Sequence, residues 1–199
     1  MRYQRVSLDA FASELAPVVV ASDELEARVA PALERLRISA GQLQALTGIR
    51  ERRWWEEGQP LAEAAARAAK KALNKAGVPV QDLGALIYAG VCRERFEPAT
   101  ACRVAHFLGL SGKTVIRDIS NACLGALNGV LDIAASIELG HIRAGMVVCC
   151  ESAREINERA IATLLANPTP ANYRETLATF TGGSGAAAIL VTDLSLIHI

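Results

Sequence analysis

Among the five cysteines of the 199-residue chain, Cys123 has the setting best suited to covalent chemistry. It lies in the run DISNACLGALNG at 118–129, where a short strand pattern passes directly into an apolar helical one. A thiol at such a junction meets the positive end of the helix dipole and unpaired backbone N–H groups, and both favour thiolate, the nucleophilic form. Ala122, Gly125 and Ala126 leave room beside it for an acyl thioester. The same pattern suits a buried structural cysteine, the commoner fate of the residue, and the residues alone leave both open. Cys92, Cys102, Cys149 and Cys150 complete an odd number with no CxxC pair, which disfavours a disulfide framework and a zinc site. Cys149 and Cys150 fall on one apolar strand, whose neighbouring side chains face opposite ways, so no bond between them is expected.

The elements that must hold Cys123 alternate along the chain. A first strand is expected around 2–11 and a helix from Ser22 to Leu33, followed by a polar loop with an N-cap candidate at Ser39. Residues 61–76 interleave alanines with Glu63, Arg67, Lys70, Lys71 and Lys75, and Gly77 with Pro79 supplies the stop. Strands are expected at 83–91, 115–120, 145–150 and 186–191, with helices at 99–108 and 123–139. Residues 153–179 are more polar, contain Pro168 and Pro170, and read as a helical insertion or cap. The alternation predicts an α/β fold, a layered sheet with helices around it. Between 124 and 139 the polar positions are few (Asn128, Asp132, Ser136, Glu138), so this helix is expected to be central and buried on most sides.

Bulk properties narrow the class. With 51% apolar residues the chain can bury a sizeable core, and 21 basic residues balance 21 acidic ones. No net field favours nucleic acid or an anionic membrane face. No leader is expected at the N-terminus and no segment is apolar for long enough to span a bilayer, so the expected localisation is cytoplasmic.

Several words, in order and spacing, resemble one family: TGIRERR at 47–53, DLGALIYAGVCRERFEPATA at 82–101, DISNACLGALNGV at 118–130, IELG at 137–140 and GSGAAA at 183–188. Together they resemble the N-terminal half of the thiolase superfamily, in its ketoacyl synthase III branch. Within that branch they are most similar to the acyl-CoA head-to-head condensing enzymes of long-chain olefin biosynthesis. The resemblance implies that residues 1–193 form an N-terminal thiolase-like half in which Cys123 accepts the acyl group. It implies long-chain acyl-CoA as substrate, no metal or redox cofactor, and a homodimer in which Glu97, within RERFEPAT at 93–100, reaches the partner's active site as base. Such a base is needed where no loss of CO2 generates the carbanion, and a desolvated carboxylate suits the task. The other reading of Glu97 is a helix-start carboxylate with Pro98 at the first helical position.

In that family the catalytic His and Asn belong to the C-terminal half, which this chain lacks; His106 and His141 are isolated and read as structural or surface residues. The chain alone is therefore expected to be inactive in condensation. The cluster 50–55 could grip coenzyme A phosphates or adenine, or be a solvated loop. The family's tryptophan and arginine ahead of TGIR are replaced here by Gln42 and Leu46, so Arg50 and Trp54 are given no role. The glycine loop 181–185 lacks a following Lys-Ser/Thr and is not a phosphate loop; it reads as the turn opening a core strand. Two alternatives remain: a decarboxylating ketoacyl synthase III using malonyl carrier protein, and a non-catalytic fragment or acyl-binding subunit. Residues 194–199 can be back-translated into a transposon end used to prepare sequencing libraries, and are expected to be a scar following Asp193.

Overall fold

The computed structural model describes residues 2–110 and 112–196. Along the chain run β1 (Val6–Leu15), β2 (Val18–Ala21), α1 (Ser22–Arg28), α2 (Ala30–Leu36), α3 (Gln42–Thr47), β3 (Glu51–Trp54), α4 (Leu61–Ala76) and β4 (Ala85–Tyr88). They continue with α5 (Thr100–Leu108), β5 (Val115–Asp118), α6 (Gly125–Glu138), β6 (Ala144–Glu151), α7 (Arg154–Ala166), α8 (Pro170–Thr179) and β7 (Gly185–Asp193). The chain divides into one unit of residues 1–14, 58–151 and 186–199 and another of residues 15–57 and 152–185. Of the suspected scar, Leu194–Leu196 form a single 3₁₀ turn and 197–199 lie outside the described residues.

The first unit is built on a five-stranded sheet of order β1-β7-β6-β4-β5. β4 runs parallel to both neighbours, with Tyr88 opposite Asp118 on β5 and Val148 on β6. Parallel neighbours need crossover connections, which α5 and α6 supply. β4 reads ALIY and is buried at every position, as a central parallel strand requires. β5 closes one side of the sheet and alternates exposed with half-buried residues.

The helix expected at 61–76 forms with those bounds. Its alanines carry high helix propensity, and their small side chains let it bury most of its length against α5 and β6. Gly77 ends it in the left-handed conformation (φ 68°), while the Val78 N–H reaches back to Leu73 O at 3.2 Å.

α6 is seated by two glycines one turn apart. A Cβ at Gly125 would stand 3.0 Å from the Ala89 carbonyl oxygen, and one at Gly129 would stand 3.1–3.3 Å from side-chain carbons of Val147 and Ile87. Only glycine lets the helix backbone lie this close to β4 and β6. Ile133 and Ile137 continue the buried face into a core with Ile87, Val147 and Val191. Burial of this helix on most sides, expected from its composition, is met on one side only: Leu124, which precedes it, Leu127, Leu131 and Leu139, which follows it, are exposed. Composition records that a helix is apolar all round but not which faces the chain itself can cover.

Gly145 on β6 meets Ile133 from beneath, its virtual Cβ only 2.6 Å from Ile133 Cγ2. We expect Gly145→Ala to lower stability by about 1–3 kcal/mol through overpacking, seen as a lower urea midpoint. An unchanged midpoint would mean that Ile133 turns aside at no cost.

In the second unit β2 and β3 pair antiparallel, with Val18 opposite Trp54. Val20, Leu25, Val29, Leu33, Leu43, Trp54, Ile161, Leu164 and Phe180 form its core. The helix expected from Ser22 to Leu33 is broken at Val29 into α1 and α2, with Pro31 in the first turn of α2. Residues 153–179 form α7 and α8; Thr169 caps α8 by accepting the Asn172 N–H at 3.2 Å.

The cluster 50–55 is only in part a solvated loop: Arg50 is exposed outside any element, whereas Arg52, Trp54 and Trp55 are buried. It contains β3, whose period of two turns Arg52 and Trp54 inward and leaves Glu51 exposed. The buried Arg52 guanidinium donates to Val20 O (3.2 Å) and Ser22 Oγ (2.7 Å), and burial draws its basicity below the ordinary value. The Arg154 guanidinium lies 5.3 Å from the Trp54 ring centre, and its Nε donates to Trp55 O at 2.8 Å.

Candidate active site

Cys123 stands where β5 gives way to α6. The Ile119 N–H still bonds to Tyr88 O (2.9 Å), extending the β4–β5 ladder by one residue. The backbone then turns sharply through Asn121 (φ −150°, ψ 44°) and Ala122, whose φ of 45° places a non-glycine residue in the left-handed region. Such a conformation costs about 1–3 kcal/mol and persists only where neighbours hold it. Here a short 3₁₀ turn, Ala122–Leu124, precedes the helix, and the Asn121 side chain donates to Asn128 Oδ1 at 2.6 Å, bridging the cysteine. The result is an exposed thiol on a tight strand-to-helix turn, not a buried structural cysteine.

Two other cysteines compare instructively. Cys102 is also exposed and lies in the first turn of α5, a setting the sequence reading did not weigh. That helix start is already occupied: the Asp118 carboxylate accepts the N–H groups of Thr100 and Ala101, each at 2.9 Å. Cys149 is half-buried on β6, and burial pushes its thiol pKa above the ordinary value.

Glu97 lies in the segment between β4 and α5, and several bonds fix that segment on both sides of it. The Glu151 carboxylate accepts the N–H groups of Val91 (2.7 Å) and Cys92 (3.0 Å). The buried Tyr88 hydroxyl is shared between Cys92 O (2.6 Å) and Cys150 O (2.8 Å); burial raises its pKa, which keeps it a donor. Arg93 pairs with Asp118, while Glu94 accepts the Ala62 N–H at the start of α4 (2.8 Å) and an ion pair from Arg103. What remains is a projecting tip, Arg95 to Pro98, with Phe96 99% exposed and Glu97 exposed beside it. Among the described residues the Glu97 carboxylate has no hydrogen-bond or ion-pair partner. The helix-start role is filled by Asp118, and α5 begins at Thr100 with Pro98 outside it.

The remaining candidates stay apart from this site. His106 is exposed on α5 in an edge contact with Phe107, and His141 is exposed beyond the far end of α6. In the loop 181–185 the Ser184 Oγ accepts the Ala153 N–H (2.9 Å) and the Ser184 N–H donates to Arg53 O (2.7 Å), so its polar groups serve packing. Among the described residues no helix is long and apolar enough to cross a membrane.

A mixed α/β sheet that delivers a cysteine to a helix start through a strained turn has counterparts among known proteins. Residues 47–167 match the thiolase N-terminal domain model, and the chain belongs to that family. Over 196 residues it is 58% identical to the acyl-CoA:acyl-CoA alkyltransferase of Shewanella oneidensis, covering 98% of this chain and 56% of that protein. A crystal structure of Xanthomonas campestris OleA with a glutamate-to-glutamine substitution superposes with a TM-score of 0.93 at 34% identity, covering 98% of this chain and 60% of that one. A 3-oxoacyl-(acyl carrier protein) synthase III from Xanthomonas oryzae pv. oryzae gives 0.94 at 35% identity, covering 99% and 59%. The chain thus spans little more than half the length of these relatives.

Proposed function

We propose that this chain is the nucleophile-bearing half of a condensing acyltransferase that joins two long-chain acyl-CoA thioesters. The observation that carries the reading is Cys123, exposed on a strained turn at the head of α6. Its thiolate attacks the thioester carbonyl of the first acyl-CoA; the C–S bond to coenzyme A breaks, and coenzyme A leaves as its thiolate. The second acyl-CoA gives up an α proton to the Glu97 carboxylate of a second copy in a homodimer. The resulting carbanion attacks the Cys123 thioester, forms a C–C bond and releases the Cys123 thiolate. Hydrolysis of the remaining thioester yields a β-keto acid. No step calls for a metal or a redox cofactor.

Fold similarity alone does not separate this reaction from that of a ketoacyl synthase III, since both kinds of structure superpose equally well. What favours head-to-head condensation is the unpartnered Glu97 carboxylate on a projecting tip, together with the 58% identity to a protein named acyl-CoA:acyl-CoA alkyltransferase. The test uses a chimera in which residues 1–193 precede the C-terminal part of the Shewanella relative. Supplied with long-chain acyl-CoA alone, it is expected to release coenzyme A and form β-keto acid. Turnover only with malonyl carrier protein, with release of CO2, would assign the chain to the synthase III reaction instead.

A further inference from the structure

We infer that Asp118 is a positioning residue that locks the Glu97 segment to the strand leading into Cys123, an inference that rests on the roles proposed for those two residues. Asp118 is the last residue of β5, and Cys123 follows five residues later. Its side chain is only 9% exposed. A buried carboxylate must be matched by donors, and here three converge on it. Arg93 Nη1 donates to Oδ2 at 2.5 Å, the Thr100 N–H to the same oxygen at 2.9 Å, and the Ala101 N–H to Oδ1 at 2.9 Å.

These donors flank Glu97 on both sides. Arg93 precedes it and Thr100 follows it, so the segment between them is closed on one carboxylate. Charge-assisted bonds of this kind are shorter and stronger than neutral ones, and the planar guanidinium adds direction. The second Arg93 nitrogen, Nη2, reaches Ile119 O at 3.3 Å, tying the same side chain to the backbone just ahead of the turn. A helix cap alone would use only Thr100 and Ala101; the Arg93 arm extends the restraint across the tip that presents Glu97. Within one chain, the tip proposed to serve the partner's site and the strand leading to the chain's own Cys123 are thereby held to one reference point, although neither Asp118 nor Arg93 reaches the reacting atoms in the proposed steps.

Two variants test this. Arg93→Gln removes the arm and leaves the cap; Asp118→Asn weakens both and keeps the shape. In the 199-residue chain, tryptic cleavage after Arg95 is expected to speed up about 10-fold or more in both variants, and hydrogen exchange at 100–101 in Asp118→Asn only. In the chimera, acylation of Cys123 is expected to stay within about 3-fold of the parent while condensation falls about 30-fold or more, because the displaced group is the base. Unchanged cleavage after Arg95, or equal losses in acylation and condensation, would overturn the proposal and leave Asp118 as a helix cap. If the unsubstituted chimera acylates but never condenses, the condensation reading fails, and the cleavage result alone decides whether the clamp exists.

Discussion

Replacing Cys123 with alanine in the chimera is expected to abolish acyl-enzyme formation, with turnover falling by at least about 10³-fold. The expectation comes from the local backbone. Cys123 is exposed, follows a left-handed alanine and stands at the head of a helix seated directly on the sheet. Cys102 is the competitor, being exposed in another helix start, but the donors there are bound to Asp118. Intact-mass measurement after incubation with long-chain acyl-CoA decides the matter: Cys123→Ala should carry no acyl adduct, and Cys102→Ala should acylate as the parent does. An adduct persisting on Cys123→Ala would assign the nucleophile elsewhere.

The second large effect is a separation of half-reactions. Glu97→Gln keeps the size and hydrogen-bonding ability of the side chain but removes the carboxylate that would take up the α proton. Acylation of Cys123 needs no α-proton removal and should stay within about 3-fold, whereas condensation should fall about 10²–10⁴-fold, the usual worth of a positioned general base. Because the carboxylate has no partner among the described residues, the substitution breaks no described bond, and a loss of folding is not expected to obscure the result. Equal condensation by the Glu and Gln forms would remove Glu97 from the mechanism.

How much of this could be read from the residues varies with the range of the interaction that decides each feature. The α4 helix was legible in full, because alanine-rich propensity and the Gly77 stop are local. Thiolase-family membership and the α/β class were also legible, through short words whose order the fold preserves. β3 was not: three charged residues of its four conceal an alternation that becomes visible only when Arg52 finds Val20 O and Ser22 on the other side of the hairpin-like pair. Cys102 carries no mark in the sequence that sets it apart as a helix-start thiol, because the residue that occupies that helix start, Asp118, comes from a different element. Asp118 was quoted within its motif yet given no role, since its partners lie 17 to 25 positions away and only the parallel register brings them together. The break at Val29 turns on a proline that the helical pattern around it had obscured.

The glycine seat of α6 also bears on where a hydrocarbon can be stored. Beneath the helix the gap at Gly125 and Gly129 is too narrow even for a methyl group at ordinary contact distance, so no tunnel for an acyl tail runs between α6 and the strands under it. Under the proposed acylation, a tail on Cys123 would find no room beneath the helix, and the exposed apolar residues beside the cysteine on its other face are Leu124, Leu127 and Leu131. Among the described residues nothing closes over that face, and whatever packs there would set the depth, and so the length, of a tail held beside it.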